Sequence, residues 1–418
     1  MREDIAVALD LGSNKIFGIV GIKKENMVEV IGSHVVYPEY EVIQNGKVID
    51  LEGVSQYVSV VMEELETQTG KPLQFVNIGI GGGFVSGKLE RKEVSVENNQ
   101  IEQSDIDNII KSLRNEIAIR PEQKILSLVS QEYIIDKETY VKKNPEGMFG
   151  SNLEAQIHVI VAASNPLQNF IQCIKNSGST VDKIFPHSWA CAELLLSDEE
   201  KQLGCLLIDF GKGTINFLLY ISGILIGTYS LTLGGSLIDS DLSQILNTSI
   251  SIAEEIKRNY GWCNFYNLKE EKSEELEKMV EVPSSSGRLK KEVSIGKISE
   301  IVYDRVNDIF SVIKTVIEKE NQIFTKMVGN IVITGGSSLL KGLIKMTEQT
   351  FSKPVRLGIS KKIVGLSKEH QTPEFSSGIG TLLLSLKEPG EKKIVRSAPI
   401  LKKITNIKTK FSNIWDKW

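Results

Sequence analysis

Residues Ile5–Ile19 read IAVALDLGSNKIFGI, and residues Gly204–Leu218 read GCLLIDFGKGTINFL. Each stretch is an apolar run ending in Asp, followed by an apolar residue, Gly, a short polar turn and a second apolar run. Aligning Asp10 with Asp209 also aligns Gly12 with Gly211, at an offset of 199 residues. Because β-rich runs that flank a Gly-containing turn predict a β-hairpin, the sequence predicts a duplicated α/β chain with one such hairpin in each half.

The two turns have the composition of a phosphate-binding element. Glycine lets the backbone approach a ligand, and successive amide groups in a tight turn form an anion-binding concavity. A carboxylate at the strand end would repel phosphate, so we predict a hydrated Mg²⁺ between the phosphates and both Asp10 and Asp209. A single hairpin of this kind is most often an ordinary turn, and the duplicate is what favours a binding role. The turn residues predicted to contact the ligand are Gly12, Ser13, Asn14, Lys15, Gly211, Lys212, Gly213 and Thr214.

A third glycine motif fits the pair of hairpins. The apolar run 330–334 is followed by Gly335, Gly336 and Ser337 and then by a helical pattern. A strand, a glycine pair and a helix that begins at a Ser cap form a backbone that a nucleotide can approach, although any βα loop has a similar pattern. The stretch Gly82–Lys88 matches G-x-x-x-x-G-K, but Leu89 stands where a P-loop needs Ser or Thr.

Composition sets the class of protein. A chain of 418 residues exceeds the usual size of one hydrophobic core, so at least two domains are expected. The net charge of −4 argues against broad nucleic-acid binding, and none is predicted. Residues 387–418 carry nine basic and three acidic side chains, which leaves residues 1–386 at about −10. We therefore expect the basic segment 387–418 to bind an anionic partner of its own.

The sequence resembles the superfamily of actin, DnaK-type chaperones and sugar kinases, in which each half carries a phosphate hairpin. Within it the resemblance to the FtsA family is the strongest and spans nearly the whole chain. The segments that carry it are Val181–Leu196, the stretch Leu233–Gly261 and the helix opening at Ser377-Gly378-Ile379-Gly380. The resemblance implies ATP as the ligand, with contacts from Gly234, Gly235, Glu254 and Lys257.

The segment NPEGMFGSNLEAQIHVIVA resembles the part that distinguishes FtsA from other actin relatives, the inserted subdomain 1C. The resemblance therefore implies a division into two lobes with insertions. The predicted parts are a first lobe (1A) at 1–84 and 160–204, subdomain 1C at 85–159, a second lobe (2A) at 205–234 and 296–386, subdomain 2B at 235–295, a linker at 387–399 and an amphipathic helix at 400–418.

The chain departs from the family pattern at two positions of the second hairpin. The family usually reads D-x-G-G-G-T there, whereas this chain has Lys212 in place of a glycine and Asn216 in place of a frequent Asp. Lys212 could donate to a phosphate or crowd the turn. Where DnaK-type relatives place a catalytic carboxylate, this chain has Phe185-Pro186-His187, with Glu193 further on. We therefore expect at most slow ATP turnover, and no catalytic residue is assigned.

The last residues, PILKKITNIKTKFSNIWDKW, follow the 3.6-residue rhythm of an amphipathic helix. Apolar residues within one arc and lysines around it are typical of a helix that lies in a membrane interface. A helix docked on its own protein or on a partner is the alternative. The residues predicted to contact anionic lipid are Leu401, Ile404, Ile407, Phe411, Ile414, Trp415, Trp418, Lys403 and Lys408.

The FtsA resemblance implies a function. It implies an ATP-binding protein that polymerises into an actin-like filament at the cytoplasmic face of the membrane, tethers FtsZ at the division site and recruits other divisome proteins. In the family, subdomain 2B receives the C-terminal peptide of FtsZ, and the candidate contacts here are Arg258, Arg288, Lys290 and Lys291. The charged segment 269–297 is predicted to form a hairpin in this subdomain.

Three other functions remain open. One is a PilM-like pilus-assembly scaffold, which should lack the amphipathic tail. Another is a soluble kinase or chaperone-type ATPase, and the third is an FtsA paralogue with weak or absent turnover.

Overall fold

The computed structural model describes residues 5–25, 27–117, 119–142, 144–271, 273–285, 290–320, 329–360 and 363–387. The strands are β1 (Ile5–Leu11), β2 (Ile16–Lys24), β3 (Met27–Val36), β4 (Ile43–Gln44), β5 (Lys47–Val48), β6 (Phe75–Ile80), β7 (Val85–Ser95), β8 (Gln123–Ile135), β9 (Thr139–Val141), β10 (Asn152–Ala163), β11 (Thr180–Pro186), β12 (Cys205–Phe210), β13 (Ile215–Ile221), β14 (Ile224–Leu231), β15 (Met279–Pro283), β16 (Lys290–Ser294), β17 (Ile331–Thr334) and β18 (Val355–Leu357).

The α-helices are α1 (Leu51–Thr69), α2 (Gln103–Glu116), α3 (Ser164–Asn176), α4 (His187–Leu195), α5 (Asp198–Leu203), α6 (Gly235–Leu246), α7 (Ile250–Tyr260), α8 (Phe265–Glu271), α9 (Ser273–Glu277), α10 (Ile295–Glu320), α11 (Leu343–Phe351) and α12 (Ser376–Lys387). Short 3₁₀-helices occur at Gly336–Leu339, Lys368–His370 and Pro373–Phe375.

The first sheet has five strands in the order β11-β6-β1-β2-β3. Strands β11, β6 and β1 are parallel, and β1, β2 and β3 form antiparallel hairpins. Apart from Asp10, strand β1 is apolar because helices cover both faces of this part of the sheet, and from Ala6 to Leu11 every residue is buried. We call this sheet with α1 and α3 the first half.

Helix α1 shows how the local sequence sets an element of the first half. Asp50 caps its N-terminus by accepting a hydrogen bond of 3.0 Å from the Gly53 amide, and Gly70 ends it with φ 65°. Val54, Val58, Val61 and Leu65 recur at helical spacing and are fully buried. Gly18 of β2 lets this helix lie close, because a Cβ there would be 2.4 Å from Val61 Cγ1.

The second sheet has nine strands in the order β18-β17-β12-β13-β14-β7-β10-β8-β9. Its first five strands repeat the arrangement of the first sheet, with β18, β17 and β12 parallel and β12, β13 and β14 antiparallel. We call these five strands, together with α6, α7, α10 and α11, the second half. Its core is built from apolar side chains of the sheet and of α6 and α10, including Phe210, Phe217 and Phe310.

The remaining four strands belong to an insertion, which we define as residues 82–163. Strands β7, β10, β8 and β9 pair antiparallel, and α2 packs on them over a separate core that includes Ile109, Leu153 and Ile157. The insertion leaves the first half after β6 but continues the sheet of the second half. The join is short, since β14 pairs with β7 only at Gly227↔Lys88 and Thr228↔Gly87.

Helices α4 and α12 pack against each other between the sheets. Gly380 allows the contact, because a Cβ at this position would lie 1.9 Å from the backbone oxygen of Ala190. Helix α4 also packs on β12 and β13, while α12 packs on β1 and β2. The pair therefore links the first half to the second.

The predicted actin-like, duplicated α/β fold with an inserted subdomain is confirmed. Strands β15 and β16 form a hairpin within the segment predicted to contain one. Apart from Lys387, which ends α12, the predicted linker and amphipathic helix (387–418) lie outside the described residues. Among the helices that the structure describes, none has the length and apolar character needed to cross a membrane.

Candidate functional site

The two predicted hairpins have the same backbone geometry. The amide of Gly12 donates to the Lys15 oxygen at 3.1 Å, and the amide of Gly211 donates to the Thr214 oxygen at 2.9 Å. Each Asp occupies the same register, with Asp10 opposite Phe17 and Asp209 opposite Asn216. Residues that are 199 positions apart therefore make equivalent turn hydrogen bonds and equivalent strand pairings in the two hairpins.

The turns of the two hairpins meet across a cavity of about 220 Å³. A Cβ on Gly213 would lie 2.6 Å from Ser13 Oγ, so the two turns are in contact at this point. Within the described part of the chain, the backbone amides of Ser13, Asn14, Lys212 and Gly213 have no hydrogen-bond acceptor. These amides are available to an anionic ligand.

Most residues predicted for the site line this cavity. They are Asp10, Gly12, Ser13, Asn14, Lys15, Asp209, Gly211, Lys212, Gly213, Thr214, Glu254, Lys257, Gly335, Gly336 and Ser337. The other two, Gly234 and Gly235, lie behind the second turn. The Gly235 amide donates to the Gly211 oxygen at 3.0 Å, and a Cβ on Gly234 would lie 2.3 Å from the Lys212 oxygen.

Asp10 lies at the end of β1 and is buried between two helix starts. Its Oδ2 accepts a hydrogen bond from Ser377 at the start of α12. Its Oδ1 lies 3.0 Å from Nε2 of His187 at the start of α4. Burial alone would raise the pKa of Asp10, but His187, with Lys15 and Ser377, holds that pKa below its ordinary value. Burial likewise opposes the charge on His187, yet Asp10 raises the pKa of His187.

Asp209, the equivalent residue of the second half, has a different partner. Asn216 Nδ2 donates to Asp209 Oδ2 at 3.1 Å and lies 3.3 Å from Thr214 Oγ1, while Asn216 Oδ1 accepts from Ser230 at 2.5 Å. Burial raises the pKa of Asp209 above its ordinary value. The amide of Asn216 thus holds Asp209 in place without adding a second buried negative charge.

Lysines on the cavity wall are neutralised by carboxylates. Lys15 Nζ donates to the Glu374 backbone oxygen at 2.5 Å, lies 3.7 Å from Glu374 Oε2 and sits 4.6 Å from the centre of the Phe375 ring. Lys212 Nζ lies 2.9 Å from Glu254 Oε2 of α7. Lys257 Nζ lies 2.7 Å from Asp239 Oδ1 of α6. A phosphate in this cavity would lie near Lys15 of the first half and near Lys212 and Lys257 of the second half.

The third glycine motif differs from its prediction. The residues after β17 form a 3₁₀-helix from Gly336 to Leu339, and α11 begins only at Leu343, after Gly342 with φ 76°. The predicted helix start with a Ser cap is therefore wrong. Ser337 instead donates its hydroxyl to the Gly211 oxygen at 3.0 Å, and Gly335 has φ 86°. The motif is therefore a tight turn on the cavity wall that hydrogen-bonds to the second hairpin turn.

Sequence reasoning missed several residues of the cavity wall. They are His187, Leu339, Leu340, Glu374 and Ser377. The contact partners of Asp10 and Lys15 among them come from positions more than 170 residues away along the chain, and no local pattern marks them. A partial signal existed for His187 and Ser377, because each lies in a segment that resembles the connecting helices of the family.

The predicted partner-binding residues are dispersed. Arg258 lines the cavity and lies 2.7 Å from Glu254 Oε1. Lys290 pairs with Glu281 across the β15–β16 hairpin, and Lys291 is exposed on the same strand. Arg288 and the predicted lipid-contacting residues lie outside the described part of the chain. Glu193, which follows the expected catalytic position along the chain, is hydrogen-bonded to Lys387 and does not line the cavity.

The residues present fit a hydrated divalent cation. The buried Oδ1 of Asp10 has no well-aligned hydrogen bond within the described residues, so it can accept one from a metal-bound water. No group of three or more His, Cys, Asp and Glu side chains that could hold a metal is found in the same described residues. Any cation would therefore be shared between Asp10, Asp209, water and the ligand.

The duplicated hairpins, the two sheets and the cleft between them define an actin-like fold, and solved structures agree. The structure of a PilM–PilN type IV pilus biogenesis complex superposes with a TM-score of 0.64 and 15% identity over 92% of this chain and 99% of that one. MreB5 of Spiroplasma citri bound to ADP superposes with a TM-score of 0.52 and 13% identity over 92% and 96%. At these identities the likeness concerns the fold alone.

Sequence comparison gives the family. The cell division protein FtsA of Neisseria meningitidis serogroup B is 32% identical over 385 residues, 91% of this chain and 90% of that protein. FtsA of Borreliella burgdorferi is 29% identical over 413 residues, 98% of each. The family model for cell division protein FtsA matches residues 206–380, and that for the SHS2 domain inserted in FtsA matches 82–161. The chain belongs to the FtsA family of cell division proteins.

Proposed function

We propose that this chain binds ATP with Mg²⁺ in the cavity between the hairpins and acts as a membrane adaptor for cell division. The observation that carries the nucleotide site is the pair of equivalent turns whose amides and lysines converge on one cavity. Mg²⁺ would be held through water by Asp10 and Asp209 and would supply positive charge between these carboxylates and the phosphates.

The residues of the cavity have separable roles in this proposal. Gly12, Gly211 and Gly336 leave the backbone open to phosphate, and Lys15 and Lys212 supply positive charge. Glu254 and Lys257 of α7 line the same cavity and would approach the nucleoside. His187 keeps Asp10 ionised. Glu193 does not line the cavity and no catalytic base is assigned, so we propose binding with slow turnover at most.

The adaptor role rests on family membership and on the tail sequence. The protein would form actin-like filaments at the cytoplasmic face of the membrane, hold the FtsZ C-terminal peptide on subdomain 2B (235–295) and recruit other divisome proteins at the septum. Residues 400–418 would bind anionic lipid weakly in one copy and firmly in a filament, since linked sites bind with avidity. The division into 1A, 1C, 2A and 2B stays part of this proposal.

A binding experiment tests the nucleotide site. Isothermal titration with ATP and Mg²⁺ should give saturable binding for the wild type, and Asp10→Ala should weaken it about tenfold or more, because the cation loses a carboxylate. Equal binding by Asp10→Ala would contradict the metal assignment. Lack of binding by the wild type would contradict the nucleotide site as a whole.

A co-sedimentation experiment tests the membrane role. The full chain should pellet with anionic vesicles, and more so with ATP, whereas a 1–399 truncation and Trp415→Glu should stay in the supernatant. If all three behave alike, the adaptor proposal fails. The PilM-like alternative, which should lack such a tail, would then be the next function to test.

A further inference from the structure

Three lysines line the cavity, and Lys212 is the one that stands where the FtsA family pattern usually has a glycine. It lies at the tip of the second hairpin turn, and its side chain is 25% exposed. Its backbone is fixed at the same time, because its oxygen accepts a hydrogen bond of 2.8 Å from the Ser236 amide in the first turn of α6. The ammonium group is therefore carried on a rigid base at the wall of the cavity.

In the structure this ammonium group is held by Glu254. Lys212 Nζ lies 2.9 Å from Glu254 Oε2, and the other oxygen of Glu254 lies 2.7 Å from Nη2 of Arg258. Glu254 thus pairs with both Lys212 and Arg258, and all three residues line the cavity. Lys212 and Glu254 are only partly exposed, at 25% and 21%, so their attraction is weakly screened by solvent.

Glu254 is thus the anion that holds the side chain of Lys212, and the amides of Lys212 and Gly213 have no acceptor within the described residues. A phosphate bound at the amides of Lys212 and Gly213 would lie next to the Lys212 side chain and would compete with Glu254 for it. A phosphate carries more negative charge than a carboxylate and offers several acceptor oxygens. Arg258 would remain with Glu254, so the released carboxylate would still have a partner.

We propose that Lys212 exchanges Glu254 for a nucleotide phosphate, so that the Lys212–Glu254 ion pair sets the phosphate affinity of this chain and reports phosphate binding to α7. This inference rests on the proposed nucleotide site and adds to it a residue with a defined role. It also explains how a lysine is accommodated at a glycine position: the side chain has an acceptor of its own when no phosphate is bound.

Affinity measurements on single and double variants test the exchange. Lys212→Met keeps the length of the side chain and removes the charge, and it should weaken ATP binding about tenfold, the value of one charge-assisted hydrogen bond. Lys212→Arg should restore most of the affinity. Glu254→Gln should strengthen ATP binding several-fold in the wild-type background, because Lys212 is then free for the phosphate.

The double variant separates exchange from simple repulsion between Glu254 and phosphate. If Lys212 mediates the effect, Glu254→Gln should change the ATP affinity little in the Lys212→Met background. If the two substitutions act additively, Glu254 acts directly on the ligand and the exchange is wrong. AMP provides a second readout, since its affinity should depend less on Lys212 than that of ATP.

A matched control removes an equivalent ion pair elsewhere. Lys92 has a 23% exposed side chain and lies 2.5 Å from Glu116 in the insertion, away from the cavity. Lys92→Met should leave the ATP affinity unchanged, and thermal unfolding of each variant checks that it is folded. Loss of affinity in Lys212→Met but not in Lys92→Met supports the proposal. Equal ATP affinity of Lys212→Met and wild type overturns it while leaving the nucleotide site intact, whereas a wild type without ATP affinity overturns the proposed function itself.

Discussion

Asn216 shows how one atom in the buried site sets its electrostatics. An amide at this position donates to Asp209, whereas the aspartate that is frequent in the family would place a second carboxylate about 3 Å from it. Two carboxylates that share a site cannot both ionise easily, and the pKa of one of them is strongly raised. In this chain Asp209 Oδ2 therefore has a neutral donor in place of a second carboxylate.

Asn216→Asp should make the fold depend on a cation or on acid. We expect the free energy of unfolding to fall by about 2 kcal/mol at neutral pH, since a buried charge loses its donor. Part of this loss should return at pH 5, where one carboxylate is protonated, or with added Mg²⁺. Urea unfolding at pH 7 and pH 5, with and without MgCl₂, measures this. Asn216→Ala removes the hydrogen bond without adding charge and should show neither recovery, and the expectation is wrong if Asn216→Asp behaves in the same way.

Glu200 makes a bidentate ion pair outside the site. Arg356 Nε lies 2.7 Å from Glu200 Oε1 and Arg356 Nη2 lies 2.8 Å from Oε2, a bidentate pair that joins α5 to β18. The Ser197 amide and Asn330 also donate to Glu200. Chiefly because of Arg356, the pKa of Glu200 falls from 4.5 to about 2.

This shift predicts a defined dependence on pH. A carboxyl group whose pKa is lowered by folding stabilises the protein above its unfolded pKa, and that contribution is lost as the pH falls through the folded value. Glu200→Gln should therefore cost about 2 kcal/mol at pH 7, allowing for partial solvent screening. The difference from wild type should shrink between pH 4.5 and pH 2, as followed by urea unfolding. The exposed Glu281–Lys290 pair is the control, and Glu281→Gln should give little change at any pH. A pH-independent cost of Glu200→Gln would exclude the ionic explanation.

At the scale of elements, the contact between α4 and α12 connects the two halves and also presents His187 and Ser377 to Asp10. A helix–helix contact this close needs glycine, since any side chain on Gly380 would meet the backbone of Ala190. The two helices begin at the cavity, so their packing sets the position of the site residues at their first turns.

Gly380→Ala should lower both the free energy of unfolding and the affinity for ATP. We expect a loss of about 3 kcal/mol in the free energy of unfolding, because backbone atoms cannot move aside as a flexible side chain can. ATP affinity should fall as well, since His187 and Ser377 shift with the helices. Ser385→Ala on the same helix removes only a hydrogen bond within that helix and should change neither quantity much. Chemical denaturation and ATP titration measure the two effects. Wild-type stability of Gly380→Ala would contradict the close contact.

At the scale of the whole molecule, the insertion is joined to the second half by a narrow seam, which we define as β7, β10 and β14 around His158. His158 is buried, and its Nε2 lies 2.9 Å from Thr228 Oγ1 of β14. Burial lowers the pKa of His158 to about 4, so the ring is neutral at physiological pH. Gly87 leaves space for this ring, because a Cβ there would lie 2.5 Å from Nε2.

Gly87→Ala should loosen the seam. The added methyl group would push β7 from the imidazole and from β14, with a cost of about 2 kcal/mol. Amide hydrogen exchange should become faster in β14 and β7 while β1 stays protected, because the first half does not contain the seam. Ser86→Ala, at an exposed neighbour, should leave exchange unchanged. If the amides of β7 and β14 exchange at the same rates in Gly87→Ala as in wild type, the seam tolerates a side chain at this position.

How much of this structure the sequence could predict depends on the distance along the chain over which each contact acts. The two hairpins are local: their strands, their turns and the register of Asp10 and Asp209 depend on residues within about fifteen positions. The sequence by itself therefore determined the duplication, the two carboxylates and most of the residues that line the cavity. The predicted start of α11 was wrong because Gly335 and Gly342 adopt positive φ angles that the helical pattern did not reveal.

Only the tertiary structure decided what each of these residues contacts. Ser377 and Asp10 are 367 positions apart, and Lys15 and Glu374 are 359 apart, so the topology alone brings them together. The same holds for the Lys212–Glu254 pair and for the insertion, which leaves one sheet and joins the other. A single sequence encodes local propensity strongly, whereas long-range contacts depend on how packed elements share the available space.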